Sequence, residues 1–328
     1  MNVTHYMRQP RSNVFSIERL YDDVREALPG DIHANVWICR EPSSGLLPRL
    51  RDAWAARKVQ ADVNHVTGDT HYLTYFLNRQ RTLLTVHDLV ALDRSRGLKR
   101  FLLWLFWYWL PIKRSRLVVT ISVKTKQSLL SAVRCDPGKV VVIHNPVSDE
   151  FRPLPKAFNV THPRILQIGT KPNKNLERVA EALAGLPCTL VIVGKLTAQQ
   201  EAVLAQHRVT IENHVGLSRG ELLSQYEQAD LLMFASLYEG FGLPIVEANA
   251  VGRPVITSSL SPMPEVAGDA ALFVDPFDVQ SIRQSVIALM RDAALRDRLV
   301  AAGFHNAKRF SSRRVAEHYA SIYRSIAS

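Results

Sequence analysis

Short apolar runs alternate along the chain with stretches whose apolar residues recur every three or four positions. Val3 to Met7 reads as a strand and Ser16 to Leu28 as a helix with Ser16 at its N-cap. Thr82 to Val86, Leu117 to Ile121 and Val140 to Ile143 supply further buried strands in the first half. A second series starts at Arg164 to Ile168 and continues with Thr189 to Val193, Val209 to Ile211, Leu231 to Ala235, Val255 to Thr257 and Ala271 to Val274. Between these runs lie helical stretches at Asn175 to Leu183 and Thr197 to Gln206, and Ser218-Arg-Gly-Glu221 spells a capping box. The last helix expected is Ser312 to Ile326, amphipathic along its length.

Strands alternating with helices imply an α/β fold with parallel, doubly wound sheets. Two series of similar length imply two Rossmann-like domains, 1–147 and 148–310, with the segment 311–328 expected to pack back on the first. Pro146, Pro153 and Pro155 mark the hinge between them. A length of 328 residues suits two domains, and 47% hydrophobic with 22% charged residues excludes a disordered chain. Three cysteines, Cys39, Cys135 and Cys188, form no metal-ligating cluster, which favours a reducing compartment. No basic-then-apolar leader opens the chain, so the expected location is cytoplasmic.

Charge changes the picture of the first half. The net charge is +11, and residues 1–150 hold 22 Lys and Arg against 14 Asp and Glu. The window 94–126 carries nine basic residues and no acidic one, and it encloses Phe101, Trp104, Phe106, Trp107, Tyr108 and Trp109. Its uncharged run, Phe101 to Ile112, is too short to span a bilayer. Two readings stand: a helix over 98–110 buried on every side, or an aromatic helix flanked by bases that meets an anionic membrane surface. Surplus positive charge also raises nucleic acid as a partner. No RNP, zinc-finger or helix-turn-helix pattern accompanies it, and the bases are interleaved with a solid apolar run, so no nucleic-acid partner is expected.

The stretch Leu231 to Ser258 carries the clearest chemistry: a strand, a glycine-bearing loop, a short helix stopped by Gly252, then a strand. Ligands of open α/β sheets sit at the carboxyl ends of strands, where Glu239-Gly-Phe-Gly242 falls. Gly240 and Gly242 let backbone amides come close, and a helix N-terminus behind them favours an anion such as phosphate. Glu247 lies within that helix, placed to accept from a sugar hydroxyl.

Glu239-Gly-Phe-Gly-Leu-Pro-Ile-Val-Glu247 resembles the donor site of GT-B glycosyltransferases of family 4, in which two glutamates eight positions apart bracket a Gly-Phe-Gly-Leu-Pro core. Gly169-Thr-Lys-Pro-Asn-Lys174 matches the family's glycine and diphosphate-binding lysine, with Lys171 or Asn173 in place of a second basic residue. Asn213-His-Val215-Gly216 matches the segment that meets the nucleotide base, and Val86-His87-Asp88 the active-site histidine. The resemblance implies a GT-B fold, two Rossmann-like domains facing a cleft. It further implies a retaining hexosyltransferase using a nucleotide diphosphate sugar as co-substrate. Glu239 and His87 are the catalytic candidates by this likeness. Lys174, Gly169, Gly240, Phe241, Gly242, Leu243, Glu247 and Val215 are the donor-binding candidates. Lys171, Ser16 and His65 are secondary candidates.

The chain departs from the pattern where many members carry a Gly-Gly pair after the first strand; here the loop 8–16 has no glycine. Asp-x-Asp is absent throughout, so no metal cofactor is expected. The acceptor expected is a glycan or a lipid-linked glycan of cell-surface polysaccharide synthesis, with the chain peripheral at the inner face of the membrane. Sugar-nucleotide epimerisation and phosphorolysis use the same fold and stand as alternatives. A dinucleotide oxidoreductase is disfavoured, since no Gly-x-Gly-x-x-Gly follows an early strand.

Overall fold

The computed structural model describes residues 1–9, 16–41, 43 and 45–328, the side chain of Ser16 excepted. The chain divides into one unit made of Met1–Pro146 with Ser312–Ser328, and another made of Val147–Ser311.

The first unit holds a six-stranded parallel sheet: β1 (Asn2–Met7), β2 (His33–Ile38), β3 (Val63–Val66), β4 (Thr82–Val86), β5 (Leu117–Thr120) and β6 (Val140–Val142). Their spatial order is β2-β1-β3-β4-β5-β6. Side chains alternate between two cores, as a pleated strand requires. Leu84 and Val118 face one core, with helix residues Ala53, Ala56 and Leu129. Leu83 and Val119 face the other, under Tyr21 and Val24 and under Val315, Tyr319 and Tyr323 of the terminal helix Ser312–Ala327.

Two of these strands were not expected. β2 is an edge strand with little burial, so its apolar signal is weak. β3 is fully buried but reads Val-Asn-His-Val, and its two polar residues interrupt the apolar run. The fold satisfies both: Asn64 accepts from Tyr6 Oη (3.2 Å) and Ala61 N (3.1 Å), while His65 bonds Tyr323 Oη and Thr85 Oγ1, each at 2.8 Å. His65 was a candidate for touching sugar or acceptor. It instead lies inside a strand, fully buried with both ring nitrogens occupied.

The helix over 98–110 is neither all-buried nor presented by its tryptophans. It runs as Gly97–Leu103, a π-helical stretch Trp104–Trp109, and Leu110–Lys113. Trp104, Trp107 and Trp109 pack against the unit's core, and Trp104 Nε1 donates to Ala132 O at 2.9 Å. The outward residues are Leu98, Phe101, Leu102 and Phe106. Among the described residues no helix is long and apolar enough to cross a membrane.

The second unit repeats the plan with β7 (Arg164–Ile168), β8 (Thr189–Val193), β9 (Thr210–His214), β10 (Leu231–Phe234), β11 (Val255–Ser258) and β12 (Leu272–Val274), all parallel. The order is β12-β11-β10-β7-β8-β9. The chain therefore winds outward from β7 through β8 to β9, returns to the other side of β7 as β10, and continues to β12. The expected capping box forms: Ser218 Oγ accepts from Glu221 N (3.3 Å) and Ser218 N donates to Glu221 Oε2 (2.7 Å).

Candidate active site

Reversal of winding between β7 and β10 leaves a crevice at their carboxyl ends, the position where open α/β sheets bind ligands. The loops after these two strands carry most of the donor-site candidates. β7 ends at Ile168, and Gly169 turns the chain with φ of +89°, a conformation that favours glycine. A Cβ there would stand 3.0 Å from Lys174 Cε, so the bare glycine also makes room for the Lys174 side chain. Asn175 closes this loop in the left-handed region, φ 61°, and its Nδ2 donates to Ala235 O (3.1 Å) and Pro276 O (2.7 Å). These bonds tie the loop after β7 to those after β10 and β12.

Lys174 Nζ donates to Glu239 Oε1 at 2.6 Å and lies 4.4 Å from the centre of the Phe234 ring. Asn173 joins them, its Nδ2 donating to Tyr238 O (2.9 Å) and Glu239 Oε1 (3.3 Å). Lys171 takes part through its backbone, its carbonyl accepting from Lys174 N (2.8 Å), and its side chain is exposed. The loop after β10 then reaches Gly242, φ +110°, which caps the helix Leu243–Val251 without a side-chain bond. A Cβ on Gly242 would meet Ile245 Cδ1 at 3.2 Å. Phe241 contributes packing through its side chain: its ring is buried edge-on to Phe310, centres 5.6 Å apart.

Glu247 has a protein partner that its spacing did not reveal. The buried hydroxyl of Tyr226 donates to Glu247 Oε2. Burial pushes the Glu247 carboxyl up to about 7, against the opposing pull of Tyr226, Arg219 and Lys174. Val215 follows β9 at the far edge of the sheet, with its side chain 59% exposed. The cluster thus unites Gly169, Lys174, Glu239 and Gly242 around Phe234, with Glu247 one turn into the helix. Phe234, Tyr226 and Asn175 escaped sequence reasoning. An Asn directly before a helix was the one available hint, because Asn tolerates the left-handed region best among non-glycine residues.

In the first unit His87 follows β4 and is half-buried. Its Nε2 lies 2.8 Å from Thr67 O. A carbonyl only accepts, so Nε2 donates this bond. Asp88 Oδ1 accepts from Val90 N (3.0 Å) and so caps the following turn. Arg8, at the end of β1, is buried and paired with Glu18 (2.7 Å) and Asp69 (3.1 Å). Residues 10–15 of the glycine-free loop and the Ser16 side chain lie outside the described residues.

Two parallel α/β units, one with a helix starting at its switch point, are the architecture of two Rossmann-like halves. Residues 152–305 match the family Glycosyl transferases group 1 and residues 14–151 match Glycosyltransferase Family 4. The chain belongs to this family and is a glycosyltransferase of GT-B fold.

Relatives are consistent with this. The chain is 29% identical over 295 residues to O-antigen chain mannosyltransferase B of Escherichia coli, covering 81% of this chain and 75% of that protein. It is 26% identical over 262 residues to the serotype-specific mannosyltransferase WbdA of Escherichia coli, covering 70% of this chain but 32% of WbdA. It is 27% identical over 226 residues to O-antigen chain mannosyltransferase RfbU of Salmonella typhimurium, covering 66% and 62%. Among solved structures, sucrose-phosphate synthase of Thermosynechococcus elongatus superposes with a TM-score of 0.79 at 15% identity, covering 99% and 98% of the two chains. Anabaena HepE, solved in complex with UDP and glucose, gives 0.75 at 13% identity, covering 98% and 99%.

Proposed function

We propose that the chain transfers a hexose, mannose first among candidates, from a nucleotide diphosphate sugar to a growing cell-surface glycan on a lipid carrier, with retention at the anomeric carbon. The Lys174–Glu239 pair at the switch point is the observation that carries this reading. Lys174 and the amides at Gly242 and Leu243 stabilise the departing diphosphate, where charge develops in the transition state. Glu239 holds hydroxyls of the donor sugar, Glu247 those of the ribose, and Val215 backs the base. His87 contacts the transferred sugar. The mannosyltransferase names of several relatives support mannose and an O-antigen type of product. The place of action is the cytoplasm, at the inner face of the membrane.

A thermal-shift screen of GDP- and UDP-linked hexoses tests it, followed by product analysis with the stabilising donor. The expected result is one donor that raises the melting temperature and yields an acceptor-dependent product of unchanged anomeric configuration. Stabilisation by none of them overturns the reading. An isomerised sugar nucleotide formed without acceptor replaces transfer by epimerisation.

A further inference from the structure

The π-helical stretch Trp104–Trp109 ends against a proline, and that ending reaches into the loop after β3. Leu110 N donates to Leu105 O, five positions back, rather than to Phe106 O. Pro111 has no N–H to offer Trp107 O, four positions before it. The regular ladder thus leaves two adjacent carbonyls without a donor, and such groups find another partner. Side chains of the short 3₁₀ helix His71–Tyr75 supply both: Tyr75 Oη donates to Phe106 O, and His71 Nδ1 donates to Trp107 O at 2.7 Å.

The second of these bonds decides what His71 can do. A carbonyl only accepts, so Nδ1 carries a proton. The ring is buried, packed on Trp107 with centres 5.5 Å apart and edge-on to Tyr108 at 5.7 Å. Burial, with His87 adding, holds the imidazole below its ordinary range, against the pull of the Trp107 carbonyl, Asp69 and Asp88. The ring is therefore neutral at pH 7 and its lone pair stands on Nε2. No hydrogen bond joins that atom to a described residue. Thr70, directly before it, is fully buried, and its Oγ1 also has no partner among the described residues.

Two polar atoms in adjacent residues thus stand unpaired, where buried polar groups are ordinarily satisfied. Their loop leaves the carboxyl end of β3, beside β4, the end at which open α/β sheets bind ligands. The loop is held there from both sides. His87 Nε2 bonds Thr67 O at 2.8 Å, and Tyr108 Oη donates to Asp88 O at 3.3 Å. A neutral ring nitrogen accepts, and a threonine hydroxyl both gives and takes. Such a pair suits uncharged hydroxyls, not an anion.

We propose that His71 is an acceptor-binding residue: its Nε2 accepts a hydrogen bond from a hydroxyl of the acceptor sugar, and Thr70 Oγ1 bonds a neighbouring one. The inference rests on the transfer reading above, which supplies a sugar acceptor. The π-helical stretch gains a role through it, since the Trp107 carbonyl fixes the tautomer that turns a lone pair to the sugar.

Nitrogen NMR of the full chain with labelled histidine tests it. The His71 signals, identified by their loss in His71→Asn or His71→Ala, are expected to show a protonated Nδ1 and a bare Nε2 at pH 7. Titration with the methyl α-glycosides of mannose, glucose, galactose and N-acetylglucosamine is expected to shift the Nε2 resonance for at least one. Asn offers an N–H near the place of Nδ1 and nothing at Nε2. His71→Asn should accordingly keep the bond to Trp107 O and unfold at higher urea than His71→Ala. By calorimetry it should bind the same glycoside about three- to tenfold more weakly, the scale of one neutral hydrogen bond. A protonated Nε2 overturns the proposal, as does an Nε2 resonance indifferent to all these glycosides, or wild-type affinity in folded His71→Asn. A response to a nucleotide sugar alone overturns it too, since the atom then holds the transferred sugar. Nucleotide-sugar thermal shifts report separately on the transferase reading, because the donor candidates lie in the other unit.

Discussion

Lys174 Nζ and Glu239 Oε1 stand 2.6 Å apart, with only 16% and 15% of their side chains exposed, and each comes from a loop on its own side of the switch point. The two groups assigned to the diphosphate and the sugar of the donor therefore neutralise one another before the donor arrives. Removing either alone leaves a half-buried charge uncompensated. Lys174→Met and Glu239→Gln should each destabilise, and the double variant should lose less than the sum, with a coupling of about 0.5–3 kcal/mol by urea titration. In turnover, Lys174→Met is expected to lower kcat by about 10²-fold or more, the scale of losing one transition-state donor. Strict additivity in stability, or near-normal kcat, removes the pair from the mechanism.

Gly169 offers a way to displace the lysine without removing it. Its φ of +89° disfavours any side chain, at a cost of about 1–2 kcal/mol, and a Cβ would press on Lys174 Cε from 3.0 Å. Gly169→Ala should therefore keep the fold, lower the melting temperature modestly and reproduce most of the kcat loss of Lys174→Met. A variant as active as wild type shows that Lys174 does not need its present path.

Glu247 supplies a pH dependence. Burial raises its carboxyl from the ordinary 4.5 to about 7, so the folded chain binds this proton more tightly than the unfolded chain. The corresponding stability is fully present below pH 4.5 and is lost as the pH rises through 7. Against Glu247→Gln, the wild type should lose relative stability across that window, by no more than about 3 kcal/mol. Urea titrations at a series of pH values read the difference; a constant offset between the two proteins contradicts it. Donor affinity of the wild type should carry an inflection in the same range that the Gln variant lacks.

Alternation of apolar runs made both sheets and the order of the donor loops legible, because central strands such as Thr82–Val86 are buried on both faces. β3 was illegible for a specific reason: its polar pair is satisfied by Tyr6, Thr85 and Tyr323, and Tyr323 arrives from the far end of the chain. Local pattern cannot report such a partner. The same holds for Tyr226, which reaches Glu247 across 21 positions. Motif spacing named Glu239, Lys174 and Gly242, whose neighbours are fixed by one short loop each. It did not reveal the packing of the Phe241 ring on Phe310, which comes from a distant part of the chain. The aromatic window left two readings open for a related reason: composition counts tryptophans, whereas the helix phase sends them inward and leaves Phe106 outside.

The first unit should be acid-sensitive. Tyr323 Oη meets His5 Nε2 at 2.9 Å and His65 Nδ1 at 2.8 Å, donating to one ring and accepting from the other. Burial, with Arg25 adding repulsion, pushes His5 from 6.5 down to about 3; burial, with His5 and His87 adding, holds His65 well below its ordinary range. Both rings stay neutral in the fold and gain protons on unfolding. The stability they contribute is thus complete above pH 6.5 and is lost as the pH falls toward 3. Two such groups give a slope of up to about 3 kcal/mol per pH unit. Tyr323→Phe, which removes the shared hydroxyl, should cost about 1–3 kcal/mol at neutral pH. Chemical denaturation between pH 4 and 7 checks both; a flat wild-type profile across that range contradicts the assignment of neutral, buried rings.

Charge on the leaving diphosphate must be met by something, and the chain has no Asp-x-Asp pair with which to hold a divalent ion against it. What the described donor loops provide is the cation Lys174 and the start of the helix Leu243–Val251. Pro244 removes one amide donor from that first turn and Ile245 N is spent on Gly242 O (3.0 Å), so the Gly242 and Leu243 amides are the donors assigned to the anion. Transfer should accordingly proceed at an unchanged rate in EDTA, while Lys174→Met should slow it with or without Mg²⁺. Activity abolished by EDTA and restored by Mg²⁺ would place the neutralising charge on a metal and take that role from the lysine.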